Sequence, residues 1–378
     1  MALRKEKIDF FFRCFLPRYL PRFLRRRWEI LQKKQGRLED LYVFLTNQCN
    51  ARCRHCFFIE ELGYVPGELR LEEYRQIAAT LPQLERIFFT GGEALLHPEC
   101  SDIVRLMGKA TRALRVGLIT NGLLPDRVEK FVRSVLGDPS FPSLLDILVS
   151  LDGLEETHND VRQNPHAWER ANETLARLER LRDEFSGRLE SGVITIITSR
   201  NWQEIEALAD HIDAHYPRTR QGFEIVRGTN FSLWGLAPQY RADFNPPEEV
   251  LPPPSAWDEI LKMLERVNRR RGIAHHAFHI TTLFTIEMLR TGKKLVDCVS
   301  AGQNVAVLYS TGDLAVCEFS QPFGNIRDYG LNFDRAWHSA EADTMRRATS
   351  RCWCTHGCYL SKNIEYSLAG LWAMLRKL

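Results

Sequence analysis

Six times between residues 41 and 271 the chain repeats one pattern: a short apolar run, a loop, then a stretch of helical periodicity. The runs are Leu41–Thr46, Arg86–Thr90, Arg115–Thr120, Leu144–Leu151, Val193–Ser199 and Phe223–Arg227. The helical stretches are Leu71–Thr80, one starting at Pro98, then 125–136, 166–185, 202–215 and Ala256–Arg271. The runs are rich in β-branched residues and lack clean alternation, as in strands of a parallel sheet buried on both faces. Strands alternating with helices indicate an α/β fold. Each run ends in polar or glycine residues: Cys49, Gly91–Glu93, Asn121-Gly122, Ser150–Gly153, Ser199–Asn201 and Arg227-Gly228. In parallel α/β proteins the carboxyl ends of the strands carry the chemistry, so these six ends together mark the expected site.

The 378 residues leave room for more than one such unit. After Gly272 the character changes to short strand-like pieces, Val305–Tyr309 and Leu314–Cys317, with turn signals at 311–313 and 323–325. A boundary is expected within 272–297, and the tail from Asn363 reads as an amphipathic helix with Ile364, Leu368, Leu371 and Leu375 at helical spacing. Mean hydropathy is −0.29. No window of 18 uncharged apolar residues offers a membrane span, and no leader pattern suggests export, so a cytoplasmic protein is expected.

Net charge is +3, but residues 1–36 carry eleven Lys/Arg against Glu6, Asp9 and Glu29, so this arm is +8 and the rest −5. The arm is also aromatic, with Phe10, Phe11, Phe12, Phe15, Tyr19, Phe23 and Trp28. One reading packs the aromatics on the bottom of the fold and leaves the charges in water. The other lays the arm on an anionic membrane surface, peripheral to the inner face. Pro17 and Pro21 are expected to break or kink a helix there. Nucleic acid is not an expected partner.

The ten cysteines are clustered. Cys49, Cys53 and Cys56 form one group; Cys352, Cys354 and Cys358 form another, with Cys298 and Cys317 upstream; Cys14 and Cys100 stand alone. A disulfide framework belongs to small secreted domains, so clusters in a chain of this size read as metal or catalytic sites. The first group is C-x3-C-x2-C. Tetrahedral zinc normally takes four ligands, and three thiolates leave a corner empty. A 4Fe–4S cluster held by three cysteines keeps one iron open to an exogenous ligand.

With this spacing directly after the first strand, the chain resembles the radical S-adenosylmethionine superfamily. Further segments carry the resemblance over residues 41–230. Thr90-Gly91-Gly92-Glu93-Ala94 looks like the family's glycine-rich segment, which implies that the backbone and Glu93 hold the methionine ammonium. Thr120-Asn121-Gly122 looks like a second element lining the site. Ser150-Leu-Asp152-Gly153 resembles the segment near the ribose, and His158 to Arg162 the stretch whose Arg162 pairs with the methionine carboxylate. Phe57 or Phe58 stands beside Cys56 as the family's aromatic neighbour does, Phe58 being the expected one. The resemblance implies a partial (β/α)6 TIM-like barrel over 37–272. It implies a 4Fe–4S cluster on Cys49, Cys53 and Cys56, S-adenosylmethionine as co-substrate, and a reducing partner such as flavodoxin or ferredoxin. Reductive cleavage to a 5′-deoxyadenosyl radical and abstraction of a substrate hydrogen is the implied reaction.

Cys298, then Gly312-x4-Cys317, resembles the opening of a SPASM/twitch auxiliary-cluster domain; Asn325 and Trp337 also fit. The closing Cys352-x-Cys354-x3-Cys358 departs from the full pattern. Five thiols suffice for one auxiliary 4Fe–4S cluster and not for two. Cys298, Cys317 and Cys358 are the firmest expected ligands, with Cys354 preferred over Cys352 and the spare one undetermined. A small α+β auxiliary domain over 273–362 is therefore expected, followed by the 363–378 helix. His356 leaves a mixed Cys/His zinc site open. His275, His276 and His279 are expected in a solvated basic linker, and Cys100 as a buried free thiol. Asp152, Glu224 and Arg227 are expected near substrate, and Trp234 and Tyr240 in a lid. The substrate stays open between a small molecule, a carbohydrate, a lipid-linked compound and a peptide, as for a maturase. The competing reading is a non-catalytic zinc or iron–sulfur module.

Overall fold

The structure, a computed structural model, describes residues 16–32, 36–226, 250–271, 276–350 and 352–377. Helix α1 (Leu16–Leu31) precedes six parallel strands. These are β1 (Asp40–Thr46), β2 (Arg86–Gly91), β3 (Arg115–Thr120), β4 (Leu144–Ser150), β5 (Leu189–Ile197) and β6 (Arg220–Ile225). Each neighbours the next in space as in sequence, all in parallel register. Between them run α2 (Leu71–Ala79), α3 (Cys100–Thr111), α4 (Pro125–Leu136), α5 (Glu155–Arg162), α6 (Ala167–Glu184) and α7 (Ile205–His215). The arrangement is a partial TIM-like barrel, as expected from the alternation. Helix α5, which carries His158 to Arg162, is not among the helical stretches expected from the periodicity.

The order follows from where apolar atoms must go. Every residue of β1 is buried. Leu41, Val43, Leu45, Val116, Leu118, Leu145, Ile147 and Val149 join one core with Ile77, Ile103, Met107, Val128, Val132, Leu175 and Leu178 of the helices. Helix α4 shows the logic: Pro125 fills the first turn, and Val128, Phe131, Val132 and Val135 recur at three- and four-residue steps on its buried face. Cys100 is buried at the start of α3, and burial pushes its thiol well up, as expected of a structural cysteine.

The strand starts form a charged floor. Asp40 pairs with Arg86, and Asp146 takes Arg115 at 2.8 Å and Arg220 at 2.7 Å. Glu190 closes the ring, 2.7 Å from Arg115 and 3.0 Å from Arg220.

Beyond β6 come α8 (Trp257–Arg271) and α9 (His276–Thr291). The expected basic linker is thus in fact the start of a helix from His276; His275 and the side chains of His276 and His279 lie outside the described residues. Helix α9 packs along β6, with Thr282 Oγ1 donating to the Phe223 carbonyl at 2.7 Å. Then β7 (Val305–Leu308) pairs in parallel with β1, and β8 (Asp313–Ala315) and β9 (Gly324–Asn325) add antiparallel strands. The C-terminal region therefore extends the same sheet. Gly312 turns the β7–β8 hairpin at φ +93°, and Asn325 Nδ2 braces it through Thr311 O and Asp313 Oδ1, both at 3.0 Å.

Helices α10 (Phe333–Trp337), α11 (Ala340–Thr349), α12 (Gly357–Glu365) and α13 (Leu368–Lys377) finish the chain. The tail expected as one helix is two. Ser367 caps α13, its Oγ accepting the Gly370 N–H at 2.8 Å, and Tyr366 is drawn inward to donate to Glu39 at 2.8 Å.

The arm also differs from expectation. Helix α1 runs unbroken through Pro21. Phe23 is buried, and so is Arg26, whose Nη2 donates to Val299 O at 2.6 Å; the half-buried Arg22 pairs with Glu85, and the exposed Arg25 with Glu39 at 3.2 Å. The reason is that the underside of β1 and β2 presents acids. Glu39 is 3% exposed and also takes Lys362 Nζ at 3.0 Å. Burial pushes its carboxyl up, and Lys362, Tyr366 and Arg22 outweigh that and hold it below the usual range. Arg227, Trp234 and Tyr240 lie outside the described residues.

Candidate active site and auxiliary thiol cluster

The loop after β1 is held against the ends of β2, β3 and α5. Gly91, at φ +130°, lies so close beneath it that a Cβ would come within 2.3 Å of Thr46 O. A Cβ on Gly92 would come within 2.3 Å of Gln48 O. The glycine pair is therefore required by the approach of two backbones, which Gly92 N–H to Thr46 O and Glu93 N–H to Gln48 O, both 2.8 Å, lock together. Asn121 Nδ2 donates to Asn50 Oδ1 at 2.7 Å, and Arg54 binds Val161 O through its backbone and Asp160 through its side chain at 2.7 Å. The loop so fixed turns Cys49, Cys53 and Cys56 to one cavity of about 280 Å³.

Gly91, Gly92, Asn121, Ser150 and Arg162 line the same cavity. Three expected residues are placed differently. Phe58 is 5% exposed and packs on Phe44 with ring centroids 5.3 Å apart, while Phe57 faces the cavity. Glu93 turns inward: Oε2 accepts the Asn121 N–H at 2.8 Å and Oε1 the Leu95 N–H at 3.3 Å. It ties β2 to β3 behind the lining. Burial pushes it up to about 7 against the pull of those hydrogen bonds. Asp152 is fully buried behind the wall, accepts the Ile196 N–H at 2.8 Å and pairs with Arg162.

Arg162 is consequently a neutralised cation with a second task. Its Nη1 donates to Cys53 Sγ at 3.4 Å, and Nε is a buried donor with no hydrogen-bond acceptor among the described residues. Burial would push Asp152 up, but Arg162, His55 and His158 hold it below the usual carboxylate range. His158 accepts the Asp152 N–H at 3.0 Å, and burial first, then Arg162, push its imidazole down to about 3. Burial also raises Cys49, and Cys56 to about 11.

Residues the sequence reading missed complete the cavity: Tyr42, His55, Arg86, Phe88 and Thr281. Tyr42 and Phe88 sit opposite in the β1–β2 register and stack at 5.2 Å. Their inward parity with Phe44 and Thr90 was available from the two-residue strand period. Glu224, expected near substrate, does line the cavity, with its carboxylate against Gly357 at the start of α12.

The later cysteines divide in an unexpected way. Cys298, Cys317, Cys352 and Cys354 line a second, small cavity with Phe319 and Tyr359. Cys298 N–H donates to Cys352 O at 3.2 Å, and burial and mutual repulsion push Cys317 and Cys354 well up. Cys358 instead lines the large cavity, hydrogen-bonded to the Tyr42 hydroxyl. Cys358, among the firmest expected ligands, is therefore not in the lining of the small cavity, because α12 begins at Gly357 and turns it toward β1. His356 is fully buried and paired with Glu318 at 3.0 Å. It is not part of the small cavity's lining.

Among the described residues, no three His, Cys, Asp or Glu side chains converge on one point as a single ion requires. A cubane spreads its thiolates over separate irons, so three thiols around one cavity fit it without such convergence. The soft donor set and the buried Arg162 Nε beside it suit a cluster with an anionic neighbour.

Residues 43–212 match the Radical SAM superfamily. The chain is 30% identical over 287 residues to a tungsten-containing aldehyde ferredoxin oxidoreductase cofactor-modifying protein of Pyrococcus furiosus, covering 74% of this chain and 71% of that one. It is 38% identical over 125 residues to a GTP 3′,8-cyclase of Synechocystis sp., where the match covers 31% of this chain and only 35% of the relative. In fold it is similar to Streptococcus suis SuiB bound to the precursor peptide SuiA, with a TM-score of 0.59 at 12% identity, over 92% of this chain and 76% of that one. It is equally similar to anSMEcpe with bound AdoMet, with a TM-score of 0.59 at 15% identity, over 89% and 98%. The chain belongs to the radical SAM superfamily.

Proposed function

We propose that this protein is a radical S-adenosylmethionine enzyme whose 4Fe–4S cluster is held by Cys49, Cys53 and Cys56. The observation that carries the reading is that these three thiols share one cavity with the ends of β2, β3 and β4 in a chain of this family. When bound, cluster and S-adenosylmethionine supply a 5′-deoxyadenosyl radical that abstracts a substrate hydrogen. The protein's own part is positional. Gly91 and Gly92 let the cysteine loop seat on β2, and Asn121 braces it through Asn50. Arg162, held by Asp152, places positive charge on Cys53 and offers Nε to an anionic group of the ligand. Phe57 and Ser150 offer an apolar face and a hydroxyl to the nucleoside part.

Cys298, Cys317, Cys352 and Cys354 hold one auxiliary 4Fe–4S cluster in this reading, within the 273–362 region. Cys358, Tyr42 and Glu224 face the substrate side of the large cavity. The substrate class supported by the relatives is a small molecule or a peptide, and a one-electron donor such as flavodoxin or ferredoxin supplies the reducing equivalent. Anaerobic reconstitution, iron counting and 5′-deoxyadenosine assay with dithionite test the reading. Iron at the level of two clusters and formation of 5′-deoxyadenosine are expected.

A further inference from the structure

Helix α1 is inside out. Its packed face carries Phe23 but also Arg22 and Arg26, both bound to acceptors on the body of the protein. Its outward face carries Leu20, Leu24, Trp28 and Leu31, at 37%, 56%, 52% and 72% exposure. At 3.6 residues per turn these four lie within about 80° of the helix surface, one continuous apolar stripe. A second exposed apolar pair, Leu368 (63%) and Trp372 (56%), sits one turn apart on α13. The two helices are anchored at the same place: Arg22 reaches Glu365 at 3.5 Å and Tyr366 at 3.4 Å, just ahead of α13. Both lie at the strand-start end of the barrel, opposite the cysteine loop.

Charge identifies the occupant. With Arg22, Arg25 and Arg26 engaged by the body of the protein, eight further Lys/Arg precede, border or follow the stripe: Arg4, Lys5, Lys7, Arg13, Arg18, Arg27, Lys33 and Lys34. Against them the arm has Glu6, Asp9 and Glu29. A tryptophan and leucines flanked by an excess of cations match an anionic lipid interface, where the rings enter the headgroup region and the cations meet phosphate. No described helix is long and apolar enough to cross a membrane, so the stripe lies on the surface.

We propose that the Leu20–Leu24–Trp28–Leu31 face of α1 docks this protein on an anionic phospholipid surface, with Leu368 and Trp372 as a second point of contact. Co-sedimentation of the full chain with vesicles of phosphatidylglycerol and phosphatidylcholine tests it. Binding is expected to these vesicles, to weaken with salt, and to be absent with phosphatidylcholine alone. Leu24→Glu combined with Trp28→Glu should weaken it at least about tenfold. The substituted positions are exposed, so iron content and circular dichroism should stay unchanged. No binding by the native chain, equal binding to neutral vesicles, or undiminished binding by the double variant overturns the proposal. So does a native dimer that the double variant converts to monomer, which assigns the face to a second copy. Binding that appears only after residues 1–15 are deleted also overturns it, and assigns the face to the chain's own beginning.

Discussion

The Arg162 guanidinium donates to the Cys53 sulfur at 3.4 Å while Asp152, buried behind it, neutralises its charge. Of the three cysteines, Cys53 alone receives this contact among the described hydrogen bonds. A guanidinium locked by a buried carboxylate keeps one orientation whether or not a ligand is present, which is what a reaction starting at a fixed cluster needs.

Asp152→Asn removes the anion that orients Arg162 without changing the size of the side chain. Formation of 5′-deoxyadenosine should fall by roughly 10–100-fold, the usual effect of losing an outer partner of a ligand. Iron bound at the auxiliary site should not change. Single-turnover assays alongside iron counts separate the two.

The split of the five later cysteines predicts unequal iron counts. Cys317→Ala and Cys352→Ala should each lower iron from about eight to about four per chain, while Cys358→Ala should keep about eight. If Cys358→Ala loses the auxiliary iron and Cys352→Ala does not, the placement of these two thiols is wrong. A Cys358→Ala chain that keeps its iron but turns over more slowly would place the thiol among the groups serving the substrate.

Much of this was legible because strand ends and cysteine spacing are local. Each parallel strand is announced by its own apolar run, and C-x3-C-x2-C stands directly after the first. What was not legible was direction. Whether Phe57 or Phe58 faces the cavity depends on a single step of the chain, and only packing on Phe44 decides it. The resemblance implies that Glu93 faces a ligand ammonium, whereas in the structure its carboxylate accepts backbone N–H groups from the end of β3 and from its own turn. Cys358 lines the large cavity instead of the small one because a helix starts at Gly357, of which a three-residue spacing says nothing. The ion pairs of the arm were not legible for a nonlocal reason: their acids stand at positions 39 and 85, far along the chain.

The charged floor predicts a stability effect remote from the chemistry. Asp146→Ala leaves Arg115 and Arg220 facing each other and Glu190 alone between them. Breaking a fully buried pair costs about 3–5 kcal/mol; with Arg115 and Arg220 at 28% and 36% exposure, about 2–3 kcal/mol is expected here. Urea titration of the native and substituted chains measures it.

The His158 imidazole predicts a pH dependence. Its folded pKa is pushed down to about 3 from an ordinary 6.5, so the unfolded chain takes up the proton first. This contribution to stability is complete above pH 6.5 and is lost progressively as pH falls from there toward 3. Asp152, whose folded pKa is lowered, adds loss only below the carboxylate range. His158→Gln should flatten the dependence of the urea midpoint on pH between about 6.5 and 5. An unchanged slope would show that another group governs that interval.

The most direct test of the central assignment compares the native chain with Cys53→Ala after anaerobic reconstitution, giving each dithionite and S-adenosylmethionine. The native chain should form 5′-deoxyadenosine. The variant should form none while keeping about four irons at the auxiliary site. Zinc in place of iron with no 5′-deoxyadenosine from the native chain, or 5′-deoxyadenosine formed at the native rate by Cys53→Ala, would contradict the account.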